Sequence, residues 1–333
     1  MKILVTGASG FLGKNLVHAL SDAGHSCRCL VLSTSNVDSL KDLPSTEFFI
    51  GDITDKKSLA GVQDGIDAVF HLAAVMGHVG AFSATRKQWD DFRAMNVEGT
   101  RNLAECFISR PLKRFVFVSS TAAMGLIPDI VVDENTAVRP KTPYQCSKTE
   151  AEELLRDYSR DKGLPAVILR PSVFYGKVMV GDLYKLVRFM KKGFLPHIGW
   201  GGNLSPIVHV NDLVNACIAC IEKGKSGETY IITSTQSYGM RELTGSVKKA
   251  LKAKPLEFTI PVSVAMSIAF LSEVLYKISG INPLITMESV RGVATDRRFS
   301  IAKAQRELDF VPEIGLDQCV IEAIEWLREQ KKI

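Results

Sequence analysis

The stretch Lys2–Leu20, "KILVTGASGFLGKNLVHAL", decides how the rest of the chain is read. Lys2–Thr6 is a short β-rich run. Gly7, Gly10 and Gly13 follow at three-residue intervals. Leu12, Leu16 and Leu20 then recur at helical spacing over Phe11–Ala23, and Gly24 ends the helix. A strand that passes through glycines into a helix offers backbone N–H groups to an anion, and the helix dipole supports them. Gly7 suits a tight turn, Gly10 lets a pyrophosphate approach, and Gly13 lets helix and strand pack closely. The G-x-x-G-x-x-G spacing alone is weak. Its place between a strand and a helix gives it force.

The same alternation continues outward. Strands are expected at Cys27–Leu32, Phe48–Ile50, Ala68–Leu72, Arg114–Ser119 and Ala166–Arg170. Helices are expected at Lys56–Val62 and Trp89–Ser109, and at Lys148–Asp161 with a start near Pro143. Near-continuous apolar strands separated by helices imply an α/β fold with a doubly wound parallel sheet covered on both faces. After Gly176 the rhythm breaks and glycines and prolines thicken. "IVHV" and "TYIIT" read as short strands returning to the sheet, and from Arg241 the pattern is mostly helical. The expected division is a dinucleotide-binding domain of residues 1–176 plus about 207–234. A smaller, mostly helical substrate domain or lid would take about 177–206 and 235–333.

Composition narrows the function classes. The chain has 333 residues, 46% of them hydrophobic and 23% charged, with a net charge of +5. Lysines and arginines are scattered in pairs rather than gathered in a stripe, so no nucleic acid is expected. Seven cysteines, including Cys217 and Cys220 on one helix, read as reduced, buried thiols. The chain opens directly in its first strand, so a cytoplasmic protein without a leader is expected. The longest apolar stretch, "FTIPVSVAMSIAFL", falls short of the ~20 residues needed to cross a bilayer. No transmembrane segment is expected, although peripheral membrane contact stays open. His71 reads as structural, His209 as a core residue, and His78 and His197 as loop residues. No histidines and carboxylates share ligand spacing, so no metal is expected.

"TPYQCSK" supplies the chemistry. Tyr144 and Lys148 are four apart and share one helix face. A free tyrosine is a poor base at neutral pH, and a neighbouring lysine cation favours its phenolate. Such a pair can act as a general acid/base on a hydroxyl or carbonyl. Upstream, "FVFVSSTAAMG" is a strand ending in hydroxyls at the ligand edge of a parallel sheet.

Taken in order, these motifs identify a resemblance. "TGASGFLG", "GDITD", "HLAA", "NVEGT", "FVSST", "YQCSK", "LRPSVFYG" and "VHVNDLVNA" together resemble the extended short-chain dehydrogenases/reductases over nearly the whole chain. The long apolar stretch from Ile260 to Val290 is similar to the 3β-hydroxysteroid dehydrogenase and dihydroflavonol reductase branch, where a helical lid covers a hydrophobic substrate. The resemblance implies a Rossmann fold and a nicotinamide dinucleotide on the glycine loop, with Phe11 and Leu12 near the pyrophosphate. It implies Asp52 and Ile53 beside adenine, and Leu72, Ala73 and Ala74 along the ribose side. Val118 would lie at the strand end, with Pro171, Ser172 and Val173 at the nicotinamide. Tyr144 would be the acid/base and Lys148 would bind the ribose. Ser120 would hold the substrate oxygen, with Ser119 or Thr121 as neighbours able to take that place. Asn96 would support the hydrogen-bond network. Val75, Met76, Thr121, Phe174 and Tyr175 would border the substrate. A homodimer through the two long helices is also implied.

The second strand ends "CLVLSTSN" without the acid that would bind a ribose and repel a 2′-phosphate. Ser33, Thr34 and Ser35, with Lys14 or Arg28 nearby, favour NADP, and NAD stays open. Thr121 and Ala122 stand where dehydratases carry carboxylates. Leu204, Ser205 and Pro206 carry no charge where nucleotide-sugar epimerases usually hold a basic residue, with Arg188 or Arg241 as substitutes. The leading expectation is an NAD(P)-dependent oxidoreductase acting on a bulky hydrophobic alcohol or ketone. A nucleotide-sugar 4-epimerase with recycled NAD is the alternative, and a non-catalytic cofactor-sensing scaffold the minor one.

Overall fold

Seven parallel strands form the central sheet: β1 (Lys2–Thr6), β2 (Ser26–Val31), β3 (Thr46–Ile50), β4 (Ala68–His71), β5 (Arg114–Val118), β6 (Ala166–Pro171) and β7 (Thr229–Ile232). Their order is β3-β2-β1-β4-β5-β6-β7, and every neighbouring pair is parallel. The order reverses between β1 and β4, which sets a crevice at their C-terminal ends. This computed structural model describes residues 1–77, 80–177, 182–283, 285–330 and 332–333. His78, expected in a loop, lies outside them.

Alternation along each strand feeds two cores. Ile3, Val5, Phe70, Val116 and Leu169 face one side with Leu16 and Leu20 of the first helix. Leu4, Val69, Phe115, Phe117 and Ile168 face the other with Leu103 and Leu155. All of these are buried, so the sheet is covered on both faces as its apolar strands require.

The long helical run begins at Arg86, three residues earlier than expected, because a Thr85–Gln88 capping box starts it. It widens to a π-helical turn at Ala94–Glu98 and resumes as α-helix over Gly99–Glu105. The helix carrying Tyr144 spans Pro143–Lys162. A Thr142–Gln145 capping box and Pro143 open it, and Gly163 in the left-handed region (φ +68°) closes it. Lys56–Leu59 is a single 3₁₀ turn capped by Asp55.

The C-terminal part differs from the sequence expectation in one respect. "TYII" is strand β7, but "IVHV" belongs to Leu204–His209, which pairs with Val173–Tyr175 and Ser237–Gly239 in a separate three-stranded sheet. A short apolar strand fixes which face is buried, not which neighbour it pairs with. His197 also departs from expectation. It is buried in the strand Phe194–Ile198, which pairs with Leu256–Ile260. A third core joins these pieces through Leu183, Val187, Leu195, Ile207, Leu243 and Val320. His209 is a satisfied core residue: its Nδ1 accepts from Asn211 N (3.1 Å), and its Nε2 pairs with Glu322 (2.9 Å).

Candidate active site

The crevice at the end of β1 is built from backbone. Gly7 has φ +67°, and a Cβ there would lie 2.9 Å from the Ala73 nitrogen. A Cβ on Gly13 would lie 2.2 Å from the Gly7 carbonyl oxygen, so the turn folds onto the first helical residues. Gly10 is exposed and caps the helix Phe11–Asp22 without any side-chain bond. The amides of Phe11, Leu12 and Gly13 therefore lack a protein acceptor among the described residues. Uncapped donors at the positive end of a helix, beside a bare glycine, fit the pyrophosphate of a dinucleotide.

Tyr144 sits in the first turn of its helix. Its side chain is part-exposed, and its ring meets Phe92 edge-on (centroids 6.2 Å apart). Burial pushes the phenol up to about 12, and a hydrogen bond with the Ser120 hydroxyl pulls the other way. Ser120 also accepts from Ala122 N (3.1 Å), which fixes its rotamer. Ser119 is excluded from the same role, because its hydroxyl donates to Glu152 Oε1 (2.5 Å) in a buried cluster. Thr121 is buried at the start of a 3₁₀ turn.

Lys148 lies one turn after Tyr144 and is 2% exposed. Its ammonium donates to the Val118 carbonyl (2.8 Å) and sits 4.2 Å from the centroid of the Phe117 ring. Burial lowers it to about 7, and the carboxylate of Glu152, a further turn along, partly opposes that. The expected lowering of Tyr144 by Lys148 is therefore not what this geometry provides. The two side chains share a helix face, but the ammonium is turned toward the end of β5. Glu152 is fully buried and is held by Arg170 (2.6 Å) and Arg156 (2.7 Å).

Asn96 lies in the π-turn and is 1% exposed. Its Oδ1 accepts from Val75 N (2.9 Å). Its Nδ2 donates to Val75 O (3.1 Å) and to Ser147 Oγ (2.9 Å). Ser147 in turn donates to the Tyr144 carbonyl (2.9 Å). A second chain starts at the glycine turn. Leu72 N and Ala73 N donate to Thr6 Oγ1, which meets His71 Nδ1 at 2.8 Å. His71 Nε2 meets Thr100 Oγ1 at 2.9 Å, and Thr100 donates to Asn96 O (2.7 Å). These directions require the neutral tautomer with the proton on Nε2. Burial agrees, holding His71 down to about 3. Sequence reasoning missed Thr6, Thr100, Ser147 and Phe92. The positions of Thr6 in "TGASGFLG", Thr100 in "NVEGT" and Ser147 in "YQCSK" hinted at a role, and Phe92 carried no such mark.

The remaining expected residues fall into distinct settings. Ser33 and Thr34 are exposed beyond β2, whereas Ser35 is committed to Leu32 N (3.1 Å). Arg28, expected near a 2′-phosphate, is spent: it pairs with Glu47 and donates to Val62 O (2.9 Å) and Asp64 O (3.0 Å). Lys14 is part-buried. The Asp52 carboxylate caps Thr54, and the Ile53 side chain is core, so only its backbone can border a base. Leu72, Ala73 and Ala74 line the crevice, partly exposed, and Val118 is buried at its floor. Pro171 and Ser172 are buried, Ser172 bonded to Thr233 (2.7 Å), and Val173 is exposed. Phe174 stacks on Phe11 at 5.6 Å, so it packs against the glycine helix. Val75 and Met76 are exposed. Tyr175, expected as a pocket wall, is instead buried in the C-terminal core, because strand alternation turns it away from Phe174.

Residues 3–233 match the NAD dependent epimerase/dehydratase family. The chain belongs to this family. It is 27% identical to the 3-beta-hydroxysteroid dehydrogenase of Mycolicibacterium neoaurum over 97% of this chain and 90% of that one. It is equally 27% identical to N-acetyl-alpha-D-glucosaminyl-diphospho-ditrans,octacis-undecaprenol 4-epimerase of Escherichia coli O157:H7, over 95% and 92%. The UDP-glucuronic acid 4-epimerase of Bacillus cereus, solved with NAD, superposes with a TM-score of 0.79 at 22% identity over 99% of each chain. The resemblance to extended short-chain dehydrogenases/reductases thus holds, as does the Rossmann-type fold.

One further residue of this family member escaped the sequence. Ser205 lacks a basic neighbour in sequence, yet Arg297, 92 positions later, donates to its Oγ (2.7 Å). Arg297 Nε is buried with no partner among the described residues, and burial depresses the guanidinium. Arg241 is committed to the Trp200 carbonyl (2.7 Å), and Arg188 lies over Tyr184.

Proposed function

We propose that the chain is an oxidoreductase that interconverts a secondary alcohol and a ketone on a bulky, largely apolar substrate. The observation that carries this reading is the convergence of the Tyr144 phenol and the Ser120 hydroxyl, on a helix tied through Ser147 and Asn96 to the backbone of Val75. A bound nicotinamide dinucleotide supplies or accepts the hydride. Ser120 hydrogen-bonds the substrate oxygen. Tyr144, protonated through the neutral range, gives its proton to that oxygen in reduction and recovers it in oxidation. Lys148 holds the floor of the crevice at Val118. Of the two cations expected to favour NADP, Arg28 is spent and only the part-buried Lys14 is left, so we favour NAD. Ser33 and Thr34 are the hydroxyls left at the second-strand edge.

The test is Tyr144→Phe. Dinucleotide affinity should stay within error, while reduction of apolar ketones falls at least ~10²-fold, the low end for a lost general acid. Normal turnover in this variant refutes the assignment.

Arg297 favours a second reading, a 4-epimerase of a diphospho-sugar. A part-buried guanidinium beside Ser205 suits phosphate. Protein that releases NAD only on denaturation, and that loses affinity for a nucleoside diphosphate on Arg297→Met, supports it. Freely exchanging dinucleotide and an Arg297→Met variant with unchanged ligand affinity count against it.

A further inference from the structure

The helix Val262–Ser279 is built inside out. Val264, Ile268, Leu271, Leu275 and Ile278 form one stripe, and all are exposed. Ala265, Ala269 and Glu273 form the buried stripe, roughly 140° around the helix. Large apolar side chains thus face outward and small ones inward. The helix has 18 residues and a mean hydropathy of 1.4, enough by length and composition alone to cross a bilayer. Its contacts keep it on the body instead: Ala265 and Ala269 pack with Ile198, Ile260 and Val290, and Glu273 accepts from Met287 N (2.9 Å).

The apolar surface continues onto the strand pair that precedes the helix. Ile260 packs under the helix, and Phe258 and Leu256 lie on the same strand face. Both are exposed, as is Phe194, the register partner of Leu256. Trp200, 69% exposed, follows Gly199, whose amide donates to the Ile260 carbonyl just before the helix. Beyond Phe194 and Leu256 the surface turns basic. A cavity of about 400 Å³ there is lined by Lys191, Lys254 and Arg328 with Met190, Leu251 and Ile333, and by no Asp or Glu side chain. Lys191, Lys192 and Lys254 have no carboxylate within salt-bridge distance among the described residues.

We propose that this face docks on an anionic lipid bilayer. The helix would lie in the plane of the interface, its outward stripe among the acyl chains, with the lysines at the phosphate level. The single acid of the helix is buried and its single lysine, Lys277, is exposed, which suits a negative surface. Two copies meeting at this face would bring uncompensated cations together, so a second copy fits less well. The helix also borders the candidate site: Phe270 meets Phe82 at a tilt (centroids 5.6 Å apart), and Tyr276 accepts from Gln88 (3.0 Å) in the helix that leads to Asn96. A substrate dissolved in the bilayer would reach Met76 without crossing water. That last point alone rests on the apolar-substrate reading.

The test is flotation of the full-length protein with phosphatidylcholine vesicles, with and without phosphatidylglycerol. Wild type should bind the anionic vesicles at least tenfold more tightly (an effect of about two lysines), and salt should weaken binding. Leu271→Glu/Leu275→Glu should abolish binding, and Lys191→Ala/Lys254→Ala should reduce it about fivefold per lysine. Both pairs are exposed, and unchanged dinucleotide affinity certifies their fold. Binding that ignores both variants, no binding at all, or a dimer lost in the glutamate variant without vesicle binding each overturn the proposal. Tyr144→Phe should bind vesicles like wild type. Vesicle binding without ketone turnover would therefore remove the proposed reaction and leave the docking surface standing.

Discussion

Asn96→Ala tests whether the π-turn exists to hold the substrate wall to the catalytic helix. The variant removes three hydrogen bonds at once, two to Val75 and one to Ser147. At a net ~1 kcal/mol each the loss is about 3 kcal/mol. Val75 is partly exposed, so water can serve its backbone, which lowers the loss to about 2 kcal/mol. Unfolding entropy of ~2.1 cal/mol/K per residue makes this a fall in Tm of ~3 °C for a chain of 333 residues. Turnover should fall further than stability suggests. Val75 and the Tyr144 carbonyl, reached through Ser147, lose their common anchor, and misplacement of about 1 Å can cost ~10²-fold. The assay pairs a thermal melt with steady-state ketone reduction and a dinucleotide titration. Dinucleotide affinity should hold, because the glycine turn is untouched. Asn96→Asp keeps the acceptor for Val75 N and should recover part of the melting loss. An Asn96→Ala variant with unchanged Tm and unchanged kcat refutes the bridging role.

Four other substitutions have defined outcomes. Gly13→Ala drives a Cβ into the Gly7 carbonyl and should cost ~1–3 kcal/mol with weakened dinucleotide binding, whereas Gly245→Ala, in an open helical position, should gain up to ~1 kcal/mol. Chemical denaturation with cofactor titration reads both. Arg170→Met strips the buried Glu152 of its best partner and should destabilise by ~3–5 kcal/mol in urea unfolding, and a cost below 1 kcal/mol would show that Arg156 suffices. Lys148 stands near 7 in the folded protein against 10.5 when solvated, so the unfolded chain binds the extra proton between those values. Stability of wild type relative to Lys148→Met should therefore rise as pH climbs from about 7 toward 10.5, and a flat difference would show an unperturbed lysine.

Much of the site was readable because its signals are local. The glycine turn announces itself through three glycines spaced between a strand and a helix, and the structure bears this out with positive φ at Gly7 and no room for a Cβ at Gly13. Tyr144 and Lys148 announce themselves by helical spacing. The misreadings share a different cause: they depend on what the chain brings from elsewhere. Helical spacing placed Lys148 beside Tyr144, but the carbonyl at the end of β5 captured its ammonium. Arg28 looked available until Glu47, 19 residues on, occupied it. The charge missing next to Ser205 came from Arg297. Tyr175 was assigned to the pocket with Phe174, although neighbouring strand residues must face opposite ways. The π-turn at Asn96 left no compositional mark beyond an asparagine in a helix.

The helix Val262–Ser279 packs in a small apolar cluster of its own, separate from the two cores that clamp the parallel sheet. For laboratory evolution this separation acts as a firebreak. Libraries at exposed Val75 and Met76 or along Val262–Ser279 can vary the surface proposed to meet the substrate while the sheet keeps its packing. A library at Thr6, His71 or Thr100 has no such insulation, because those side chains string the cofactor turn to Asn96 through one unbroken line of donors. Selectivity and cofactor preference can therefore be evolved in sequence, the first before the second, with different tolerances for destabilising change.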